Sequence, residues 1–211
     1  MNIFKIFAMF FLMSFALIHC DKSATGPKAS STYNMVLIPE GEFTMGTKNG
    51  SEDEQPEHFV HLDAFYIDLY EVTNWDYAEF LNSALEQGLI FVDQYSASMN
   101  SFDLILLSEY DCEINYQNGK FVVKPGKDDY PVVEVTWYGA NAYAQYYEKR
   151  LPTEAEWEKA ARSTDKRLYP WGNDTPTNYD CNFGQVMGGP TPVGYYSPNG
   201  ESAYGCADMA G

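Results

Sequence analysis

The chain has 211 residues, a length suited to one domain with a short appendage. Its aromatic content of 16 % excludes an acidic disordered tail, which lacks the side chains for a core. Its 13 Lys and Arg against 30 Asp and Glu give a formal net charge of -17, and no basic patch offsets it, which excludes nucleic acid.

The first residues read as an export signal. Met1 to Lys5 is short and carries one Lys, and Ile6 to Ile18 is apolar apart from Ser14. That run is too short for a membrane span, which needs roughly 20 residues, and has the length of a signal core. Leu17-Ile18-His19-Cys20 resembles a bacterial lipoprotein box, although His19 departs from the small residue usual before the cysteine. The resemblance implies that residues 1–19 are removed and that Cys20 is lipidated. The alternative is an ordinary signal peptide with an incidental cysteine. Residues 20–32 are small and polar and read as a flexible tether. The expected location is the bacterial cell envelope, lipid-anchored on the periplasmic or outer side, with the membrane reached through Cys20. Cys112, Cys181 and Cys206 remain, so at most one disulfide forms. No CxxC is present, and the spacing suits no zinc site.

From residue 33 the elements are short. Tyr33 to Pro39 predicts a strand, and Gly41 to Gly46 a second one after a turn. Thr47 to Glu57 is polar and predicts a solvent loop, including Glu52-Asp53-Glu54. Residues 58–68 predict extended chain with Phe65 and Ile67 on one face. His58 and His61, three apart on a strand, point to opposite faces and are no metal pair. Thr73 predicts a helix cap with Asp76 closing a capping box, and Gly88 ends that helix. Tyr77, Phe80, Leu81, Ala84 and Leu85 form its apolar stripe. Phe102 to Leu107 is apolar without a clear period. Asn118-Gly119 predicts a hairpin in which Tyr116 opposes Phe121 and Ile114 opposes Val123. A second helix starts at Thr136 and runs to about Arg150. Thr153 caps a third, with Glu156 completing a capping box and Trp157, Ala160 and Ala161 facing inward. Glu158 and Arg162 form an i,i+4 pair, so neither Glu156 nor Glu158 calls for a catalytic role. Residues 168–211 carry no long periodic segment. Tyr169, Trp171, Tyr179, Tyr195, Tyr196 and Tyr204 read as packing for loops, or as the lining of a cleft.

Several motifs carry a resemblance to a known family. They are Met35-Val36-Leu37-Ile38-Pro39-Glu40-Gly41-Glu42-Phe43-Thr44-Met45-Gly46, Tyr70-Glu71-Val72-Thr73-Asn74, and Pro131-Val132-Val133-Glu134-Val135-Thr136-Trp137. The sharpest is RLPTEAEWE at Arg150 to Glu158, followed by Tyr169-Pro170-Trp171-Gly172. Pro192-Val193-Gly194 and Asp208-Met209 with Gly211 close the set. Together they resemble the formylglycine-generating enzyme, or sulfatase-modifying factor, family over residues 33–211.

The resemblance implies an α+β, loop-rich, C-type-lectin-like fold with little regular secondary structure. The family pattern continues past Gly211 into a segment with two catalytic cysteines, so a partial, C-terminally incomplete domain is expected. Cys112, Cys181 and Cys206 do not match those cysteines by motif. No catalytic residue is therefore carried over, and copper is not expected in this chain. The resemblance implies possible calcium ligation by Asn182 and the carbonyl of Phe183, and by Asp208 and the carbonyl of Gly211. Oxygen donors suit calcium, which takes six to eight. The functional expectation is an extracytoplasmic, lipid-anchored domain of the family, non-catalytic as it stands, with an unidentified protein or glycan ligand. The alternative is an oxidoreductase that converts a protein cysteine to formylglycine, its catalytic part lying outside this chain.

Overall fold

The computed structural model describes residues 34–184 and 186–210. The signal at 1–19, the tether at 20–32, Cys20 and Gly211 lie outside the described residues. In chain order the elements are β1 (Met35–Ile38), β2 (Gly41–Met45), β3 (His58–Leu62), β4 (Phe65–Asp68) and α1 (Asn74–Glu86). Then come β5 (Phe91–Val92), β6 (Ser96–Met99), β7 (Phe102–Leu106), β8 (Ile114–Gln117) and β9 (Lys120–Val123). Helices α2 (Trp137–Tyr146) and α3 (Glu154–Arg162) follow. Beyond α3 the described chain has no further helix or strand. The fold is mixed α+β and rich in loops.

The sheets are small and antiparallel: β1 with β4, β2 with β3, β8 with β9, and the three-stranded β5-β6-β7. The β8–β9 hairpin has the register that its Asn-Gly turn dictates, Tyr116 opposite Phe121 and Ile114 opposite Val123. The acidic run at Glu52–Glu54 forms a single exposed 3₁₀ turn. His58 and His61 pair with Met45 and Glu42 across β2–β3, both exposed.

The main core forms where α1 lies against the sheets. Tyr77, Phe80, Leu81 and Ala84 are buried with Leu104, Ile105, Ile114, Phe121 and Tyr143. Burying a side chain such as Phe80 or Leu81 contributes about 1.5–3 kcal/mol. A second, smaller core joins Ile38, Ala160 and Cys206, with Phe65 and Ile67 packed on it. It joins the N-terminal strands to α3 and the last residues. Helix α2 crosses β7 closely because Gly139 has no side chain: a β-carbon there would lie 2.0 Å from the Leu104 oxygen.

Four local expectations change. Thr73 caps α1, accepting from the Asp76 N–H at 3.1 Å, but the capping box does not close. The Asp76 carboxylate instead accepts the Thr73 hydroxyl at 2.6 Å. Helix α2 ends at Tyr146, with Tyr147 as its cap, because Glu148 turns to a φ of 58°. The aperiodic run at 102–107 is β7, paired to β6 through a register shift between Ala97 and Ser98 that obscures the alternation. Trp157 does not face inward: it is 47 % exposed, while Glu156, Lys159 and Ala160 take the buried face.

Candidate functional site

The segment from Arg150 to Arg162 organises the site. Thr153 and Glu156 form a reciprocal capping box: the Thr153 hydroxyl accepts the Glu156 N–H at 3.3 Å, and the Thr153 N–H donates to Glu156 at 2.8 Å. Arg150 donates to both oxygens of Glu156, one of them at 2.6 Å. The Arg150 guanidinium is the main reason that the Glu156 carboxyl falls to about 2. Glu158 accepts the Gly46 N–H at 2.9 Å and also pairs with Arg162. Lys159 is 1 % exposed and donates to the carbonyls of Pro39 at 2.7 Å and Gly41 at 2.9 Å. Its burial lowers its pKa. Helix α3 thus holds the β1–β2 turn through Lys159 and the end of β2 through Glu158 at Gly46.

A cleft of about 1280 Å³ opens beside this helix. It is bounded by β4, the residues after it at Tyr70–Val72, α2, the start of α3, and Ala207–Met209. Tyr77, Tyr143, Val132, Val135 and Met209 supply apolar wall. Tyr77 and Tyr143 stack with ring centres 5.7 Å apart. Burial pushes both phenols upward.

The charges in the cleft are unevenly matched. Lys149 pairs with Asp68 at 2.6 Å, and Arg150 with Glu156. Among the described residues, three carboxylates of the cleft, Glu71, Glu148 and Asp208, pair with no cation. The surrounding protein pushes the Glu71 carboxyl up to about 6, and the Asp208 charge adds to the effect. Solvent reaches Glu71 by area, yet protein encloses it, as expected in a concave wall. Burial also raises Asp208, against the pull of the Gly194 N–H that it accepts. Asp208 has a φ of 55° and Gly194 one of 71°. A β-carbon on Gly194 would lie 2.6 Å from the Tyr70 ring, so only glycine lets this loop reach Asp208.

The residues singled out in the sequence as ion ligands belong to two separate expected sites, Asn182 with Phe183 and Asp208 with Gly211. The Asn182 amide donates to the Gly189 carbonyl at 2.9 Å and closes its own loop. Phe183 is exposed, and Gly211 lies outside the described residues. Asp208 is in the cleft, bound to Gly194. No group of three or more His, Cys, Asp or Glu side chains is placed to hold a metal among the described residues. Cys112, Cys181 and Cys206 are free and buried. Burial pushes all three thiols up, away from the reactive thiolate. Four of the aromatics at 169–204 pack in pairs, Tyr169 stacked on Trp171 at 5.1 Å and Tyr195 edge-on to Tyr196, while Tyr179 is exposed. None of them lines the cleft.

The profile described as "Sulfatase-modifying factor enzyme 1-like domain" matches residues 21–211. The chain belongs to the sulfatase-modifying factor family.

Similar sequences carry different names. A protein of Chlamydia caviae named "Serine/threonine-protein kinase pkn1" is 40 % identical over 193 residues, covering 90 % of this chain and 28 % of that protein. The formylglycine-generating enzyme of Bos taurus is 31 % identical over 214 residues, covering 86 % of this chain and 57 % of the enzyme. The chain therefore spans less than a third of the first curated relatives it matches. Among solved structures, PvdO from Pseudomonas aeruginosa aligns with a TM-score of 0.53 at 26 % identity, covering 83 % of this chain and 66 % of that one. This likeness agrees with the loop-rich α+β fold.

Within this sulfatase-modifying factor domain, sequence reasoning missed Asp68, Glu71 and Lys149. Glu71 stands in the YEVTN motif, but nothing local marks it as a cleft residue. Asp68 and Lys149 are 81 positions apart and meet only in the fold.

Two outcomes follow from this wiring. Lys159→Met leaves the Pro39 and Gly41 carbonyls without their donor, and we expect a loss of about 1–3 kcal/mol by denaturant unfolding. Glu71→Gln is expected to raise the melting temperature at pH 7.5 and to leave it nearly unchanged at pH 4.5. The folded state holds the Glu71 proton to about pH 6, above the unfolded value of 4.5. That contribution is present below pH 4.5 and is lost as pH rises through 6, where Gln removes a disfavoured charge. Melts at the two pH values check the sign.

Proposed function

We propose that this chain is an extracytoplasmic binding domain of the sulfatase-modifying factor family, held at the bacterial envelope by lipid on Cys20. The observation that carries the binding role is the cleft: large, largely apolar, and bordered by three carboxylates, Glu71, Glu148 and Asp208, that pair with no cation among the described residues. Concave apolar sites with few convergent polar groups are the usual form of a ligand site. The buried, separate cysteines support a non-catalytic role for these residues. A C-type-lectin-like relationship of the fold is part of the same reading and accords with a binding role. Calcium at Asn182 with Phe183, and at Asp208 with Gly211, also belongs to it. The side chains present supply few of the six to eight oxygens that calcium takes, so other groups would complete either shell.

A second reading is favoured by the likeness to formylglycine-generating enzymes of mammals and bacteria. In it, the domain is part of an oxidoreductase acting on a protein cysteine, with its redox cysteines supplied by polypeptide outside these 211 residues.

Two experiments test the proposal. The 211-residue chain, incubated with copper and a cysteine peptide of sulfatase type, is expected to form no formylglycine above a no-protein control by mass spectrometry. Turnover above the control would favour the oxidoreductase. Cys20→Ser, expressed in a bacterial host, is expected to shift the chain from the membrane to the soluble fraction. Equal membrane retention of both forms would rule out anchoring through Cys20.

A further inference from the structure

The three-stranded sheet carries a second, smaller hollow. On its outer face, Phe91 of β5 stands opposite Ser98 of β6, and Ser98 opposite Asp103 of β7. Side chains directly opposite share a face. Ala97 and Leu104, next in the chain to Ser98 and Asp103, turn the other way into the core. Beside this row opens a hollow of about 440 Å³, with Leu89, Phe91, Ser98, Asn100 and Ser101 in its lining. That size falls within the range of small-molecule sites, roughly 300–1,000 Å³. None of these residues borders the cleft. The hollow lies past the C-terminal end of α1, whose 13 residues span about 20 Å. The last described residues bond Leu69, ahead of the other end of that helix.

The lining holds no charged side chain among the described residues, in a chain of net charge -17. Phe91 and Leu89 are exposed and offer an apolar floor. The hydroxyls of Ser96 and Ser98 both donate to Asp103 Oδ1, at 2.7 and 2.8 Å. They hold the Asp103 carboxyl below its ordinary range, so it stays an acceptor. The proton of Ser98 is thereby committed, and its oxygen is left to accept from a ligand. The side chains of Asn100 and Ser101 bond no protein group among the described residues, and each can both give and take a hydrogen bond. These two residues form the turn between β6 and β7, with φ of 51° and 70°. Glycine is the usual second residue of such a turn, yet Ser101 stands there. Residues kept in such conformations cluster where side chains meet ligands.

An apolar ring beside uncharged donors and acceptors suits a sugar. A pyranose has a C–H face that lies on an aromatic ring, and adjacent hydroxyls that both give and take hydrogen bonds. An anion would meet the Asp103 charge, and a cation finds no carboxylate in the lining. We infer that this face of the β5–β6–β7 sheet binds a neutral oligosaccharide, with one ring stacked on Phe91 and its hydroxyls bonded to Ser98, Asn100 and Ser101. The site is separate from the cleft and stands whether or not the cleft takes a ligand.

Calorimetric titration of the 211-residue chain with maltohexaose, cellohexaose, mannohexaose and xylohexaose at pH 7.5 tests this. At least one is expected to bind, and the anionic hexagalacturonate is not. Phe91→Ala should weaken that binding at least tenfold, and Phe91→Trp should retain it. Asn100→Gly keeps the turn, because Gly accepts the positive φ. It should weaken binding at least threefold without lowering the melting temperature. The contacts are direct, so EDTA should leave the affinity unchanged. If Phe91→Ala does not fold by near-ultraviolet circular dichroism, Asn100→Gly and Ser101→Gly carry the test. Failure of all four neutral sugars to bind would overturn the inference, as would binding that these substitutions leave unmoved. Equal binding of hexagalacturonate, or loss of binding in EDTA, would do the same. Enrichment of peptides from a ten-residue library, abolished by Phe91→Ala and with no sugar bound, would assign the face to a polypeptide and overturn it too.

Discussion

A buried ammonium group is the constraint on which much of this architecture depends. Lys159 is almost wholly enclosed, and a charge in that position requires hydrogen-bond partners. It finds them in the carbonyls of Pro39 and Gly41. The turn between β1 and β2 must therefore stay against α3. Glu158 then reaches the Gly46 N–H, and Ile38 meets Ala160 and Cys206 in the smaller core. The same rotation of α3 explains Trp157. Glu156, Lys159 and Ala160 share one face at i, i+3 and i+4, and they claim the interior. Trp157, next in sequence to Glu156, is turned about 100° away and faces the rim of the cleft.

The cleft exists because its walls are fixed separately. Helix α2 is held close to β7 by Gly139, and α3 by Lys159 and its capping box. The last described residues are drawn in by Ala207, whose N–H donates to Leu69 at 3.0 Å, and by Asp208 on Gly194. These ties satisfy the backbone and leave the middle open. They also fix the local charge pattern. Lys149 and Arg150 are already neutralised by Asp68 and Glu156, while Glu71, Glu148 and Asp208 line the cleft without a cation among the described residues.

The second half of the chain achieves order without regular structure. Its loops are closed by side chains bonding to nearby groups: Thr177 to Asp180 at 2.6 Å, Asn182 to Gly189, and Trp171 to the Asp174 carbonyl at 3.2 Å. Stacked aromatics add area where no strand is available to cover them. The aromatic excess of the composition is thus spent partly on loop packing and partly in the Tyr77–Phe80–Tyr143 cluster on α1 and α2.

What the sequence determined by itself is local and short in range. The Asn118-Gly119 turn set the β8–β9 register, because two residues of that type admit one hairpin geometry. Thr73, Thr136 and Thr153 each capped their helix, since a hydroxyl at that position satisfies an N–H that the helix leaves free. The RLPTEAEWE and PWG motifs were enough to identify the family. Tertiary structure alone decided which face of α3 is buried, how the aperiodic run at 102–107 became β7, and where the cleft lies. Each depends on partners far apart in the chain, such as Lys159 with Pro39 or Asp68 with Lys149. No residue pattern within a turn or a strand encodes such a meeting. Glu71 and Asp208 become an unneutralised pair only when the fold brings them to the same wall.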